Sequence, residues 1–141
     1  MSCTVEYIWL GGSNELRSKT KVLNTSVVSL DNLSIWNYDG SSTKQASGKD
    51  SEVVIVPRKL FTDPFKENGY LVMCDTYEGK NYYTDQKPLA NNFRNVANAI
   101  FEQDLDSKPW FGLEQEYFLM NPNTNLPLGF ETDPKEQGQY Y

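Results

Sequence analysis

The chain has 141 residues, of which 38% are hydrophobic and 13% aromatic, so it can bury one modest core and does not look disordered. Its formal net charge of −6 argues against a nucleic-acid binder. We see no signal peptide and no apolar run near the ~20 residues of a membrane span, so we expect a cytoplasmic protein without a membrane partner. It has no histidine, which excludes Ser-His and Cys-His catalysis within the chain. Cys3 and Cys74 have no zinc-site or CxxC spacing, so we expect reduced or buried thiols.

The first 80 residues are predicted to form a compact, mostly β unit. Alternating apolar residues and turn signals predict five strands, over Val5–Leu10, Leu16–Leu23, Ser34–Tyr38, Glu52–Val56 and Tyr70–Tyr77. The first two strands flank the turn signal Gly11–Asn14 and predict a hairpin. Pro57 is expected to end the fourth strand, with one helical turn after it, and the fifth strand is apolar enough to be central.

After residue 80 the sequence pattern changes. Residues 81–90 are polar and predict a linker, and the helical spacing of apolar residues from Phe93 to Leu105 predicts a helix with Asn91 or Asn92 as N-cap. Phe111–Met120 reads as one more strand. We therefore predict an α+β protein with a domain over residues 1–80, a linker over 81–90, and over 91–141 the incomplete start of a second domain, because a lone helix and strand cannot bury both of their faces.

Glu114 and Glu116 occupy alternate positions of the last predicted strand, so their side chains would share one face. Two neighbouring carboxylates in a buried strand repel each other and lose hydration, and a bound cation would relieve both costs. Carboxylate oxygens suit Mg²⁺ or Mn²⁺, so this pair is a candidate metal site. A solvated glutamate face on an edge strand explains the same spacing.

A second candidate is the segment Trp36–Thr43, which reads Trp-Asn-Tyr-Asp-Gly-Ser-Ser-Thr. Asp39-Gly40 followed by hydroxyl residues is typical of a tight turn, so a plain hairpin loop accounts for it. The functional interpretation is a loop that presents Asp39 beside an aromatic wall, where the carboxylate binds a small cation or takes a proton from it.

Taken together, three segments carry a resemblance to a known family: Trp36–Thr43, Asp63-Pro64-Phe65 after Pro57, and Pro109–Tyr117, which reads Pro-Trp-Phe-Gly-Leu-Glu-Gln-Glu-Tyr. In this order and at these spacings they resemble glutamine synthetase of the eukaryotic type, in its N-terminal part. The resemblance covers nearly the whole chain. It implies that residues 1–80 form the family's β-grasp domain and that residues 91–141 begin its catalytic domain.

The resemblance also implies an activity, the ATP-dependent synthesis of glutamine from glutamate and ammonia through a γ-glutamyl phosphate. It assigns Asp39 to ammonium binding and deprotonation, with Trp36, Gly40, Ser41 and Ser42 in the same substrate loop. Glu114 and Glu116 would ligate Mg²⁺ or Mn²⁺, and Glu114 would also lie beside the phosphates of ATP, the co-substrate. It further implies that the subunits assemble into a homo-oligomeric ring whose active sites are shared between neighbouring subunits.

The chain also departs from the family pattern. It holds about two fifths of the expected length, and the remaining metal ligands and the arginines for glutamate and phosphate are absent from it. We therefore expect this chain to be inactive alone. The alternative is a non-catalytic paralogue, a β-grasp module that assembles with a full-length synthetase and modulates it.

Overall fold

The computed structural model describes residues 2–25, 27–130 and 138. Its secondary structure comprises the strands β1 (Cys3–Leu10), β2 (Leu16–Leu23), β3 (Trp36–Asp39), β4 (Glu52–Thr62) and β5 (Gly69–Glu78), and the helix α1 (Phe93–Phe101). The chain separates into two compact units, Met1–Leu105 and Asp106–Tyr141. In the described part of the chain, no helix has the length and apolar character needed to span a membrane.

The strands form one mixed sheet in the order β2-β1-β5-β4-β3. The pair β1–β5 is parallel and the three other pairs are antiparallel, and β1 and β2 make the predicted hairpin. The apolar strand β5 lies in the middle, as predicted. With one helix among the described residues, the α+β class is confirmed.

The main core lies on one face of β1, where Cys3, Val5, Tyr7 and Trp9 are buried. These alternate residues pack on Ile55, Val72 and Cys74 of the neighbouring strands. Side chains of the edge strand β3 also pack on this core, although β5 and β4 separate β3 from β1 in the sheet. The ring of Trp36 meets that of Tyr7 edge to face at 5.4 Å, and Tyr38 stacks on Trp9 at 4.4 Å. Both cysteines are buried and free, in agreement with the sequence.

Strand β4 corrects one prediction. It does not end at Pro57, and Arg58–Phe61 is strand rather than a helical turn. The pairing with β5 shifts between Pro57 and Lys59, so an irregularity in the ladder accommodates a residue that has no N–H to donate. Long-range pairing with β5 outweighs the local stop signal.

Helix α1 begins at the predicted place. The side chain of Asn92 caps it by accepting a hydrogen bond from the backbone N–H of Asn95 at 3.3 Å. Asn92 also donates to the carbonyl of Thr76 at 2.9 Å, which fastens the start of the helix to the end of β5. The apolar face of α1 remains largely exposed, with Phe93, Val96 and Ile100 all more than half accessible.

The predicted strand over Phe111–Met120 is wrong for this structure. Residues 111–119 are not part of a strand, and their apolar side chains are exposed, with Leu113 97% accessible. A strand needs a neighbouring strand with which to exchange backbone hydrogen bonds, and among the described residues no strand pairs with 111–119. Only Met120 makes a bridge, to Pro127.

Candidate functional site: the Asp39 loop

The Asp39 loop, residues 39–45, starts where β3 ends. Asp39 is the N-cap of a short 3-10 turn over Gly40–Thr43, and its Oδ1 accepts hydrogen bonds from the backbone N–H and the hydroxyl of Ser41 at 2.9 and 2.6 Å. The Ser42 hydroxyl donates to the Asp39 carbonyl at 2.9 Å. An Asp-Gly-Ser-Ser sequence favours this conformation because a short polar side chain at the N-cap satisfies the free N–H groups of the turn.

Gly40 lets the loop approach the sheet. It is buried, and its N–H donates to the carbonyl of Ser51 at 2.6 Å. A β-carbon at this position would collide with Cγ2 of Val53, a fully buried residue of β4. The Asp39 loop therefore requires glycine here for a packing reason.

The Asp39 carboxylate is exposed and charged at neutral pH. The two hydrogen bonds from Ser41 hold the pKa of the Asp39 carboxyl below its usual value, because they favour the ionised form. It borders an open groove of about 400 Å³ whose lining also includes Lys19, Asn37, Ser51 and Glu52. Two carboxylates and one lysine make this groove suited to a small cation or a polar group rather than to an apolar ligand.

The ring of Trp36 is less available to a ligand than the predicted aromatic wall requires. The Lys19 ammonium sits 3.7 Å from the centroid of its ring and Lys21 sits 4.5 Å from it, a cation–π arrangement on the half-buried indole. The same Lys19 donates to the carbonyl of Asn37 at 2.8 Å. Trp36 therefore helps to hold the edge of the sheet, three residues before Asp39.

Glu114 and Glu116 lie in the second unit, on an exposed segment without regular secondary structure. Gln115 between them bonds to the backbone carbonyl of Glu116 at 3.1 Å. Their oxygens are the ligand type that Mg²⁺ and Mn²⁺ prefer, but a stable site needs more of them. Within the residues that the structure describes, no group of three or more acidic, cysteine or histidine side chains is placed to hold a metal. The pair fits a metal by chemistry and is incomplete as a site.

A buried charge cluster was missed by the sequence analysis. Asp75 in β5 is 2% exposed, and its Oδ2 accepts a hydrogen bond from Nε of Arg58 at 2.8 Å. The Arg94 Nε of α1 lies 3.4 Å from Oδ1, which has no hydrogen-bond partner. The irregularity in β4 brings Arg58 to this face, where it also donates to the hydroxyl of Tyr77. A lone acid inside an apolar strand was the signal available in the sequence.

Comparison with known proteins gives the family. No protein-family profile matches the chain. It is 49% identical over 142 aligned residues to a putative glutamine synthetase of Acanthamoeba polyphaga mimivirus, covering 97% of this chain and 38% of that protein. It is 45% identical to a cytosolic glutamine synthetase isozyme of Chlamydomonas reinhardtii, over 96% of this chain and 38% of the relative. A chloroplastic glutamine synthetase of Brassica napus is 47% identical, over 96% of this chain and 32% of that protein. The chain belongs to the glutamine synthetase family.

The chain covers only part of each of these relatives. The chain spans only about a third to two fifths of the length of these glutamine synthetases, and it corresponds to their N-terminal part. The names of the relatives include both cytosolic and chloroplastic enzymes, so a cytoplasmic location stays a prediction.

The residues that the glutamine synthetase resemblance pointed to fall into two groups. Trp36, Asp39, Gly40, Ser41 and Ser42 lie at the end of β3 and in the Asp39 loop of the first unit. Glu114 and Glu116 lie in the second unit. The domain limits at 80 and 90 also stay predictions, and residues 131–137 and 139–141 of the predicted second domain lie outside the described residues. One residue of the predicted linker, Tyr82, is buried against Tyr77 and Val54.

Proposed function

We propose that this chain supplies the ammonium-side loop of a glutamate–ammonia ligase, which makes glutamine from glutamate, ammonia and ATP through a γ-glutamyl phosphate. The observation that carries the proposal is the Asp39 loop, in which an ionised carboxylate is held at the edge of a groove by Ser41. Membership of the glutamine synthetase family supports it. In this proposal residues 1–80 form the family's β-grasp domain and α1 opens its catalytic domain.

Asp39 would bind the ammonium ion by charge. An aspartate carboxylate is ionised at neutral pH and attracts a cation, and the lowered pKa of Asp39 keeps it ionised in more acidic solution. The same two bonds from Ser41 make it a weaker base, so electrostatic binding is its larger contribution and proton acceptance the smaller one. The neighbouring Glu52 adds a second negative charge to the lining of the groove.

Glu114 and Glu116 would take part in binding divalent metal, Mg²⁺ or Mn²⁺, beside ATP. The metal would neutralise charge on the transferred phosphoryl group. The described residues form no complete metal site, and we propose that the further ligands come from the parts of such enzymes that this chain does not cover. We therefore propose that the 141 residues alone form no glutamine, and that activity requires longer subunits in a homo-oligomeric ring with shared sites.

A complementation experiment tests the proposal. A full-length glutamine synthetase, such as the Chlamydomonas isozyme, would carry asparagine at the aspartate that aligns with Asp39, and would be co-expressed with this chain. We expect the wild-type chain to restore ATP- and ammonium-dependent glutamine formation in the mixed assembly, and the Asp39→Asn chain to restore about a hundredfold less.

Asp50→Asn is the matched control, because Asp50 is an exposed aspartate close to the same loop and does not line the groove. It should complement as well as the wild type. Equal complementation by Asp39→Asn, or none by a wild-type chain that co-purifies with the enzyme, would contradict the proposed role.

A further inference from the structure

Gln45 has two sets of partners on its two amide atoms. Its Oε1 accepts hydrogen bonds from the Tyr38 hydroxyl at 2.6 Å and the Thr43 hydroxyl at 2.8 Å. Its Nε2 donates to the backbone carbonyl of Leu10 at 2.8 Å and approaches Oδ1 of Asn91 at 3.5 Å. A carbonyl only accepts, so the nitrogen must face Leu10 and the oxygen must receive both hydroxyl protons.

These partners belong to two different parts of the first unit. Tyr38 and Thr43 flank Asp39 on its two sides, one in β3 and one at the end of the 3-10 turn. Leu10 is the last residue of β1, a strand of the main core. A single half-buried side chain therefore connects both sides of the Asp39 loop to the rigid sheet.

Other contacts fix the parts of the first unit to which Gln45 is hydrogen-bonded. Asn91 donates to the carbonyl of Gly11 at 2.7 Å, next to Leu10. The Tyr38 ring stacks on Trp9 in the core, which limits where its hydroxyl can lie. Hydrogen bonds in such a partly buried network fix geometry because each group has little water to replace a lost partner.

We propose that Gln45 is a positioning residue that sets the place of the Asp39 carboxylate at the ammonium groove. It touches no reacting group and acts through Tyr38 and Thr43. This inference rests on the proposed function for its kinetic consequence, and on the contacts above for its structural one.

The structural part is tested on the 141-residue chain by amide hydrogen exchange. The reporter is the N–H of Gly40, which follows Asp39 and bonds to the carbonyl of Ser51 at 2.6 Å. Gln45→Met keeps a side chain of similar length and removes all four polar contacts. We expect Gly40 to exchange about tenfold faster, as for the loss of one to two net hydrogen bonds, while the amides of β5 keep their wild-type rates.

Two further variants make the result decisive. Gln86→Met changes an exposed glutamine of the same unit and should leave the Gly40 rate unchanged. Tyr38→Phe removes one hydroxyl bond to Gln45 and should raise the Gly40 rate about threefold, which keeps the test available if Gln45→Met does not fold. An unchanged Gly40 rate overturns the inference, and so does an equal acceleration in β5, which would mean a general loss of stability.

The kinetic part uses the complementing assembly described above. We expect Gln45→Met to raise the KM for ammonium about tenfold with the KM for glutamate unchanged, because a displaced Asp39 weakens only the ammonium side. A purely structural residue would lower the amount of active assembly and leave the KM for ammonium as it was. If the wild-type chain fails to complement while Gly40 exchange responds as expected, the proposed function fails and the positioning by Gln45 stands.

Discussion

Replacing Gly40 by alanine tests the packing that sets the Asp39 loop against the sheet. A β-carbon there would overlap with Cγ2 of Val53 and would lie 3.0 Å from the β-carbon of Ala46 and 3.2 Å from the carbonyl oxygen of Ser51. Val53 is fully buried and cannot swing away. The loop must then lift from β4 and lose the bond from the Gly40 N–H to Ser51.

The expected cost is that of overpacking a closed site, about 1–3 kcal/mol in the free energy of unfolding. In a domain of this size each kcal/mol lowers the Tm by about 4–8 °C. Urea unfolding followed by tryptophan fluorescence measures it, because Trp9 and Trp36 lie in or against the core, whereas Trp110 is 98% exposed and should change little.

Gly48→Ala is the control for the loss of glycine itself. A β-carbon at Gly48 has no neighbour within 4 Å, so its unfolding midpoint should stay within about 0.5 kcal/mol of the wild type. Equal stability of the Gly40→Ala and Gly48→Ala chains would refute the packing argument. A loss confined to Gly40→Ala, with an unchanged urea slope, would support it.

Three further predictions concern charge and ionisation. Asp75→Asn leaves two half-exposed arginines without their buried carboxylate, and we expect a loss of about 1–3 kcal/mol in urea unfolding, less than for a fully buried ion pair. Burial raises the pKa of the Cys74 thiol to about 12, and Cys3 is buried as well. At pH 8 the folded chain should therefore react far more slowly with a thiol reagent than the urea-unfolded chain, and equal rates would contradict this prediction. Ser41→Ala removes one of the hydrogen bonds that lower the pKa of Asp39, so an NMR titration should show that this pKa rises. The ionised carboxylate contributes to stability above the unfolded pKa of about 3.9, and in the variant this contribution would be lost at a higher pH during acidification.

The sequence was a good guide wherever the signal is local. The limits of β2 are confirmed, and so is the start of α1, where Asn92, one of the two predicted N-cap candidates, caps the helix. These features depend on side-chain period and on capping chemistry, which neighbouring residues determine.

The errors occurred where a distant partner decides the structure. Pro57 is a stop signal by itself, but β5 pairs with β4 on both sides of it and the strand continues with a shift of register. Phe111–Met120 has the composition of a strand, but its described neighbourhood contains no strand to pair with 111–119. Strand formation is a pairwise event, so a pattern in one segment cannot establish it.

By itself the sequence determined the family, the strand pattern of β1 and the short turn at Asp39, because motifs, side-chain period and N-cap chemistry depend on neighbouring residues. Only the tertiary structure showed that Gln45 joins the Asp39 loop to Leu10, that Gly40 is required by Val53, and that Asp75 meets two arginines. Each of these contacts joins residues at least 13 positions apart. Such contacts arise only when the strands have paired and the chain has folded, so no local pattern could have revealed them.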